Sequence, residues 1–211
     1  MKKRVLVVSA GLVHPSLSAR RHLEDIISAY GLIDHTTVHD VESLTRLDRD
    51  DFSGAVLYFH RRHISDRALG VLDRFVKGGG GLLAIHGASA SFKKTPRYFD
   101  ILGGRFVGHG KIEPYTVFRI GGDDPLFSVT EPFAVIDELY IHRYDSDVTV
   151  HYATERTGRT EPVVWTKAYG EGRVCYISLG HVSEVLKCRE VRQIITDALS
   201  FITGTRSEGK K

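Results

Sequence analysis

Short apolar runs that end in polar or glycine-containing segments constrain the fold of this chain more than any other feature. They are rich in Val, Leu and Ile, and they are too short to be helices. Such runs predict strands buried on both faces, as in parallel sheets. The runs are residues 4–9, 55–59, 82–85 and 173–179.

Helical patterns separate the first of these runs. Residues 17–30 carry apolar side chains at helical spacing before Gly31, and Ser65 is a good N-cap for a helix that ends at the glycines 78–81. Alternating strands and helices predict an α/β fold with a mostly parallel central sheet, right-handed crossovers and helices on both faces. We expect one domain over residues 1–203, with a disordered tail at 204–211.

Histidines follow the apolar runs. His60 and His86 come directly after two of them, His181 lies two residues after the last, and His14 stands in the loop after the first. In open α/β sheets, ligands bind outside the carboxyl ends of the strands. The sequence therefore predicts a histidine-rich polar pocket at that edge.

The second half of the chain is less regular. A short helix is predicted at 96–102 and a final helix at about 184–202, with Gly121–Pro125 in a turn and Gly103–Gly108 in a loop before His109. His109 is either a pocket residue or an exposed loop histidine. The predicted strands are residues 113–120, 133–136, 148–153, 162–165 and 173–179.

The segment Ala84–Ala88 has the small residues of a nucleophile elbow, a sharp strand-to-helix turn, but its central residue is His86. Histidine acts as a base or a metal ligand and is not the usual acyl nucleophile, although it can also simply cap a strand. Cys175 lies inside an apolar run and Cys188 has no triad signature nearby. We therefore predict that the chain is not a cysteine-nucleophile enzyme.

Carboxylates accompany the histidines. Asp137 and Glu138 follow a predicted strand and precede Tyr140, so they could supply a ligand or a general acid, or begin a solvated helix. Glu184 lies three residues after His181 and could orient an imidazole, or it could belong to a helix N-terminal turn.

Charge and composition limit the partners. The net charge is +3, and the excess of Lys and Arg lies at residues 2–4 and 204–211 rather than along the body of the chain. A nucleic-acid binder carries its basic residues as a patch on a folded face, so no nucleic-acid partner is expected. No apolar run is long enough for a membrane span, and two unpaired cysteines suit the cytoplasm. A homo-oligomer is left open.

Several segments together resemble the ThuA-like, or trehalose utilisation, family. The resemblance covers residues 4–202, and its most specific part is the last segment. It implies a flavodoxin-like fold related to class I glutamine amidotransferases, with His86 where those enzymes place their cysteine. Asp124 and the stretch after His109 depart from the family pattern. The segments are residues 79–87, 102–109, 123–127, 137–140 and 162–181.

The resemblance also implies a site. His86, His109, Glu138 and His181 would converge, with Tyr140 lining the same pocket. Three imidazoles and one carboxylate suit Zn²⁺ or a similar divalent cation, while no nucleotide or flavin is expected.

We predict hydrolysis or isomerisation of a small sugar or keto-sugar derivative. His86, His181 and Glu138 would be catalytic, and substrate contacts would come from Tyr140, His14, His60 and Glu184. The alternative is a non-catalytic sugar-binding or regulatory module on a degenerate amidotransferase scaffold.

Overall fold

The computed structural model describes residues 2–11, 15–122 and 124–205. The strands are β1 (Lys3–Val8), β2 (Ile33–Val38), β3 (Gly54–Tyr58), β4 (Gly81–Ile85), β5 (Gly104–Arg119), β6 (Phe133–Tyr144), β7 (Thr149–Arg156), β8 (Arg159–Tyr169) and β9 (Gly172–Ile177). The α-helices are α1 (Leu17–Tyr30), α2 (Asp66–Lys77), α3 (Pro96–Leu102) and α4 (Arg189–Thr203). Short 3₁₀ helices occur at Val41–Arg46, His86–Ala90 and Ser183–Lys187.

The strands form one sheet in the order β2-β1-β3-β4-β9-β8-β7-β5-β6. The first five are parallel and follow the 2-1-3-4-5 order of flavodoxin-like sheets, with β9 in the fifth place. Because β4 and β9 are neighbours with Ile85 paired to Ile177, the segments that follow them leave the sheet side by side. His86 and His181 are thereby brought close together.

The expectation of a mostly parallel sheet is wrong. All four pairings from β9 to β6 are antiparallel, and the ladders of β5 with β6 and of β7 with β8 are the longest in the sheet. Hairpins that pair neighbours in sequence need no crossover helix, so the second half of the chain extends the sheet without repeating the strand–helix unit.

Two apolar layers cover the sheet. One face packs against α1 and α4, and the other packs against α2 and α3, so helices lie on both faces as expected. The side chains of the central strands alternate between these layers, with Leu83 and Ile85 in the first and Leu82 and Ala84 in the second. All four are fully buried, which fixes the sheet edge that carries the site.

Three predicted boundaries differ from the structure. The glycine-containing loop at 103–108 is strand from Gly104 onward, because it pairs with the far end of β6. β6 extends to Tyr144, so Asp137–Tyr140 lies inside the strand rather than after it. The final helix is interrupted at Cys188, whose ψ of 130° is not helical.

The predicted tail lies mostly outside the described residues, which end at Thr205. The hydroxyl of Tyr30 donates to the carbonyl of Thr205 at 3.0 Å. Gly204 ends α4 in the left-handed conformation. No helix within the described part of the chain combines the length and the hydropathy needed to cross a membrane.

Candidate functional site

His86 lies at a sharp turn between β4 and a 3₁₀ helix. Its φ of +45° is uncommon for a residue with a side chain. Gly87 follows because the chain passes close to β3 there: an added Cβ would lie 2.8 Å from the carbonyl oxygen of Phe59. The imidazole is 2 % exposed, and its Nδ1 lies 2.8 Å from the carbonyl oxygen of Ser178. This turn has the strand–turn–helix form of a nucleophile elbow with an imidazole at its centre.

A buried carboxylate holds the loop that carries His181. Asp137 of β6 accepts hydrogen bonds from the backbone N–H groups of Gly180 at 2.7 Å, His181 at 3.3 Å and Val182 at 3.0 Å. Burial raises the pKa of Asp137 to about 6, although these hydrogen bonds lower it. Tyr58 adds a hydrogen bond from its hydroxyl to the carbonyl oxygen of Gly180 at 2.5 Å. These hydrogen bonds to the backbone therefore fix the position of His181.

Glu138 joins the histidines. Its Oε2 lies 3.0 Å from Nδ1 of His181, and its Oε1 lies 2.9 Å from Nδ1 of His109. Nδ1 of His181 is also 3.3 Å from Nε2 of His86. One possible ligand atom from each of His86, Glu138 and His181 lies within 4.8 Å of the others. The structure thus brings the four residues together, with His109 at the rim, where its side chain is about half exposed.

The carbonyl acceptor beside His86 fixes the position of one proton. A carbonyl oxygen cannot donate, so Nδ1 of His86 carries the proton shared with Ser178, and Nε2 is the nitrogen that faces His181. Nδ1 of His181 faces both this nitrogen and the carboxylate of Glu138. The arrangement brings a carboxylate and two imidazole nitrogens to the same point.

Aromatic rings form one wall of the site. Tyr140 lies against His86 with 3.9 Å between ring centroids, and Phe106 lies 4.5 Å from Tyr140 on its other side. Lys93 places its Nζ 5.1 Å from the centre of the Phe106 ring. Tyr140 is 4 % exposed, and burial raises the pKa of its hydroxyl well above the usual value. This wall keeps the ring of His86 away from bulk water.

The residues predicted to contact the substrate do not all lie beside His86. His60 lines a narrow cleft beside His86, together with Pro15 and Gly180. His14 lies outside the described residues.

Glu184 is exposed and bonds to its neighbours: it accepts from the hydroxyl of Ser183 at 2.7 Å and from Lys187 at 3.3 Å. The carboxylate that contacts His181 is Glu138. The idea that Glu184 orients an imidazole therefore finds no counterpart in these contacts.

Neither cysteine takes part in this geometry. Cys175 is fully buried inside β9, and burial raises the pKa of its thiol far above the usual range. Cys188 lies between the last 3₁₀ helix and α4, where burial and Glu190 raise the thiol pKa. Neither thiol is primed as a nucleophile, since that role needs a lowered pKa.

Sequence reasoning missed some residues that shape the site. Asp137 was considered only as an acid or ligand, and its role as an acceptor for three backbone groups becomes visible only when β6 is seen beside β9. Ser178, Phe106 and Tyr176 gave no signal, because a carbonyl group, an apolar ring and a strand tyrosine are common in any core. The alternation along β6 was the one usable sign, since it could have indicated a longer strand.

The fold and the site define a class: an α/β protein with a mixed sheet, in which two histidines from parallel strand ends meet a carboxylate from an antiparallel strand. The family model described as ThuA, trehalose utilisation, matches residues 4–202. The chain belongs to the ThuA family.

Solved structures agree with this fold. A ThuA-like protein from Parabacteroides merdae is 19 % identical with a TM-score of 0.85, and the match covers 100 % of this chain and 94 % of that one. A ThuA-like protein from Bacteroides uniformis is 14 % identical with a TM-score of 0.75, covering 98 % and 94 %.

A β-galactosidase from Bacillus circulans sp. alkalophilus is 9 % identical with a TM-score of 0.68; the match covers 94 % of this chain but 31 % of the enzyme. Comparison with curated proteins gives no match.

Proposed function

We propose that this protein is an enzyme that hydrolyses or isomerises a small sugar or keto-sugar derivative at the centre formed by His86, Glu138 and His181. The observation that carries the proposal is the spacing of these groups. Residues from three distant segments place ligand or acid–base atoms within 4.8 Å of one another in a largely buried site. Such clusters are typical of catalytic centres. The family description, trehalose utilisation, supports a carbohydrate as the substrate.

The donor set fits a divalent cation, most simply Zn²⁺. Two ligands of a tetrahedral zinc ion lie about 3.3 Å apart. The separations here are 3.3 Å between the imidazoles of His86 and His181 and 3.0 Å between His181 and Glu138. The hydrogen bond from His86 to Ser178 is of the kind that orients metal-bound imidazoles. A bound ion would polarise a carbonyl group or activate water.

Glu138 is the group best placed to move a proton. Its two oxygens bond to separate imidazoles, so the carboxylate is held in one orientation without a bond to Lys or Arg among the described contacts. A carboxylate held this way can take a proton from water during hydrolysis, or from carbon next to a carbonyl group during isomerisation. His181 would stabilise the negative charge that the carboxylate bears before it takes the proton and after it releases it.

The predicted substrate contacts remain part of the proposal. Tyr140 would contact the substrate through its hydroxyl or ring edge, because His86 and Phe106 lie against its ring. His60 would contact the substrate from the side of β3 and Glu184 from the exposed rim, and His14 would add a further contact. The partner would be a free carbohydrate, with no nucleic acid or membrane involved. We expect the protein in the cytoplasm, as a monomer or a homo-oligomer.

The test combines metal analysis with turnover. Purified protein, the His86→Ala variant and a control, His35→Ala on β2, are analysed for zinc and assayed with a panel of disaccharides and their oxidised keto forms. We expect about one zinc ion per chain and turnover in the wild type and control. Both should be lost in His86→Ala while its circular dichroism spectrum is kept. Unchanged turnover in His86→Ala would remove this centre from the reaction.

A second candidate is a sugar-binding module without catalysis. The match to less than a third of a β-galactosidase favours it, because the same fold there forms one part of a larger enzyme. The same panel separates the two: binding of a sugar by calorimetry, with no metal and no turnover of any oxidised or reduced form, would support the module.

A further inference from the structure

The carbonyl group of His86 is held from beneath by a buried cluster of hydroxyl groups. Tyr176 of β9 donates its hydroxyl proton to the carbonyl oxygen of His86 at 3.0 Å. The hydroxyl of Ser89 lies 2.8 Å from that of Tyr176 and 3.3 Å from the same carbonyl oxygen, so its one proton goes to one of these two oxygens. Both hydroxyl oxygens lie 3.1 Å from Nε2 of His142. All three side chains are buried, and Tyr176 is fully so.

We propose that Tyr176, supported by Ser89 and His142, is a positioning residue that holds His86 in its left-handed backbone conformation and thereby aims its imidazole at His181 and Glu138. This inference rests on the proposed function, because it concerns how that centre is assembled. It adds residues that contact neither the substrate nor a metal ligand atom.

The backbone conformation of His86 explains why such a restraint is needed. A residue with a side chain at φ +45° stays there only when the surroundings fix it more than once. The side chain of His86 is fixed by Ser178 and by the ring of Tyr140. Tyr176 supplies the matching restraint on the main chain, so the peptide group cannot rotate without breaking the buried hydrogen bond from Tyr176.

The cluster cannot pass protons to the site. Its chain of hydrogen bonds ends at a carbonyl oxygen, which has no proton to hand on. Burial lowers the pKa of His142 to about 3 and raises that of Tyr176 far above its usual value, so both stay neutral over the working range of pH. A fixed, neutral cluster that contacts only the main chain of His86 acts on its position.

The structure offers a matched control for Tyr176. Tyr98 is also fully buried in the same apolar layer, and its hydroxyl donates at 3.1 Å to the carbonyl oxygen of Ala88, two residues after His86. Tyr98→Phe and Tyr176→Phe therefore remove the same kind of hydrogen bond from the same turn. Only Tyr176→Phe releases His86, while its ring can still pack against Trp165 at 4.2 Å.

The experiment compares these two variants with the wild type by two readouts. The first is the Nδ1–H resonance of His86 in ¹H–¹⁵N spectra of metal-free protein, which reports the bond to Ser178. The second is the affinity for Co²⁺ as a probe of the centre. We expect similar losses of thermal stability in both variants, but a shifted or rapidly exchanging resonance and an affinity at least about tenfold lower only in Tyr176→Phe.

Ser89→Ala serves as a second variant, with a smaller change in the same direction, should Tyr176→Phe not fold. An unaltered His86 resonance in Tyr176→Phe and Ser89→Ala, or an equal change in Tyr98→Phe, would overturn the proposal. If the wild type binds no Co²⁺ but the His86 resonance still changes only in Tyr176→Phe, the positioning role of Tyr176 is supported. That result would count against the metal in the proposed function instead.

Discussion

The candidate site depends on a few residues whose neighbours leave them little choice of orientation. His86 is fixed by Ser178 and Tyr140, and His181 by the backbone bonds to Asp137. Between them, Glu138 is the one carboxylate whose oxygens reach two imidazoles among the described ion pairs. Chemistry at this centre should therefore depend on Glu138 far more than on the other acidic residues nearby.

A pair of substitutions tests this dependence. Glu138→Gln keeps the size of the side chain but removes the charge and the basic oxygen, so turnover should fall about 10²–10⁴-fold, the range of general acid–base catalysis. Glu184→Gln changes an exposed carboxylate that bonds to Ser183 and Lys187; as a substrate contact at the rim it should raise KM but leave kcat within about twofold. Steady-state kinetics on the active sugar measure both. A larger loss in Glu184→Gln would show that the wrong carboxylate has been chosen.

At the scale of elements, β6 does two jobs with adjacent residues. Its side chains alternate in direction, so Asp137 reaches the backbone beyond β9 while Glu138 reaches the imidazoles. The bulge in β5 between His109 and Ile112, opposite this part of β6, locally changes the register. Because Asp137 and Glu138 point in opposite directions, the first can hold the loop that carries His181 while the second contacts the imidazoles.

The hydrogen bonds by which Asp137 holds the loop at residues 180–182 can be tested by amide hydrogen exchange. In Asp137→Asn an amide NH₂ replaces one oxygen and faces a backbone N–H, so either Gly180 and His181 or Val182 lose their acceptor, and the amides concerned exchange their hydrogens faster, by about tenfold or more. Glu138→Gln is the control, because its side chain does not touch these amides. Equal protection of the three amides in wild type and Asp137→Asn would contradict this account.

A second anchor joins helices to the sheet. Asp73 of α2 accepts hydrogen bonds from Tyr169 of β8 at 2.6 Å and from Arg97 of α3 at 2.5 Å, and lies 3.3 Å from Lys77. Burial raises the pKa of Asp73, but these hydrogen bonds outweigh it and hold the pKa below its usual value. A lowered pKa stabilises the folded state above the pKa of the unfolded chain, and the gain is lost as pH falls through the folded value.

Asp73→Asn should accordingly lower the free energy of unfolding by about 2 kcal/mol at pH 7. The difference from wild type should shrink below about pH 3.9, where unfolded aspartates are protonated. Urea unfolding at several pH values provides the measurement. Asp51→Asn, which breaks an exposed ion pair with Arg4, should cost less than about 1 kcal/mol. A difference for Asp73→Asn that does not change with pH would rule out the ionised carboxylate as its source.

At the scale of the whole molecule, the sequence predicted the parallel half of the sheet and the helices on both faces, because apolar runs and helical spacing are local signals. The antiparallel half was predicted only as fragments. The pairing of Gly104 with Tyr144 joins residues 40 positions apart, and no local pattern encodes it. The grouping of the histidines was predictable because they follow strand ends. The roles of Asp137 and Tyr176 were not predictable, because they depend on which segments lie next to β9 in the folded chain.

The two cysteines report on the integrity of the whole fold. Cys175 is fully buried, whereas Cys188 is partly exposed, with a thiol pKa raised by burial and Glu190. In native protein, a disulfide reagent should therefore label Cys188 slowly, and it should label Cys175 only at the rate of global unfolding. Cys188→Ser isolates the second rate. Fast labelling of Cys175 in native Cys188→Ser would mean that the central sheet opens far more readily than its packing indicates.

The central claim is that His86, Glu138 and His181 form one functional centre, and anomalous diffraction at the zinc edge tests it most directly. Crystals of the wild type equilibrated with Zn²⁺ should show one strong peak about 2.0–2.2 Å from an imidazole nitrogen of His86, an imidazole nitrogen of His181 and a carboxylate oxygen of Glu138. The peak should vanish in Glu138→Gln crystals. The absence of a peak among these three side chains, with zinc bound elsewhere, would contradict the account.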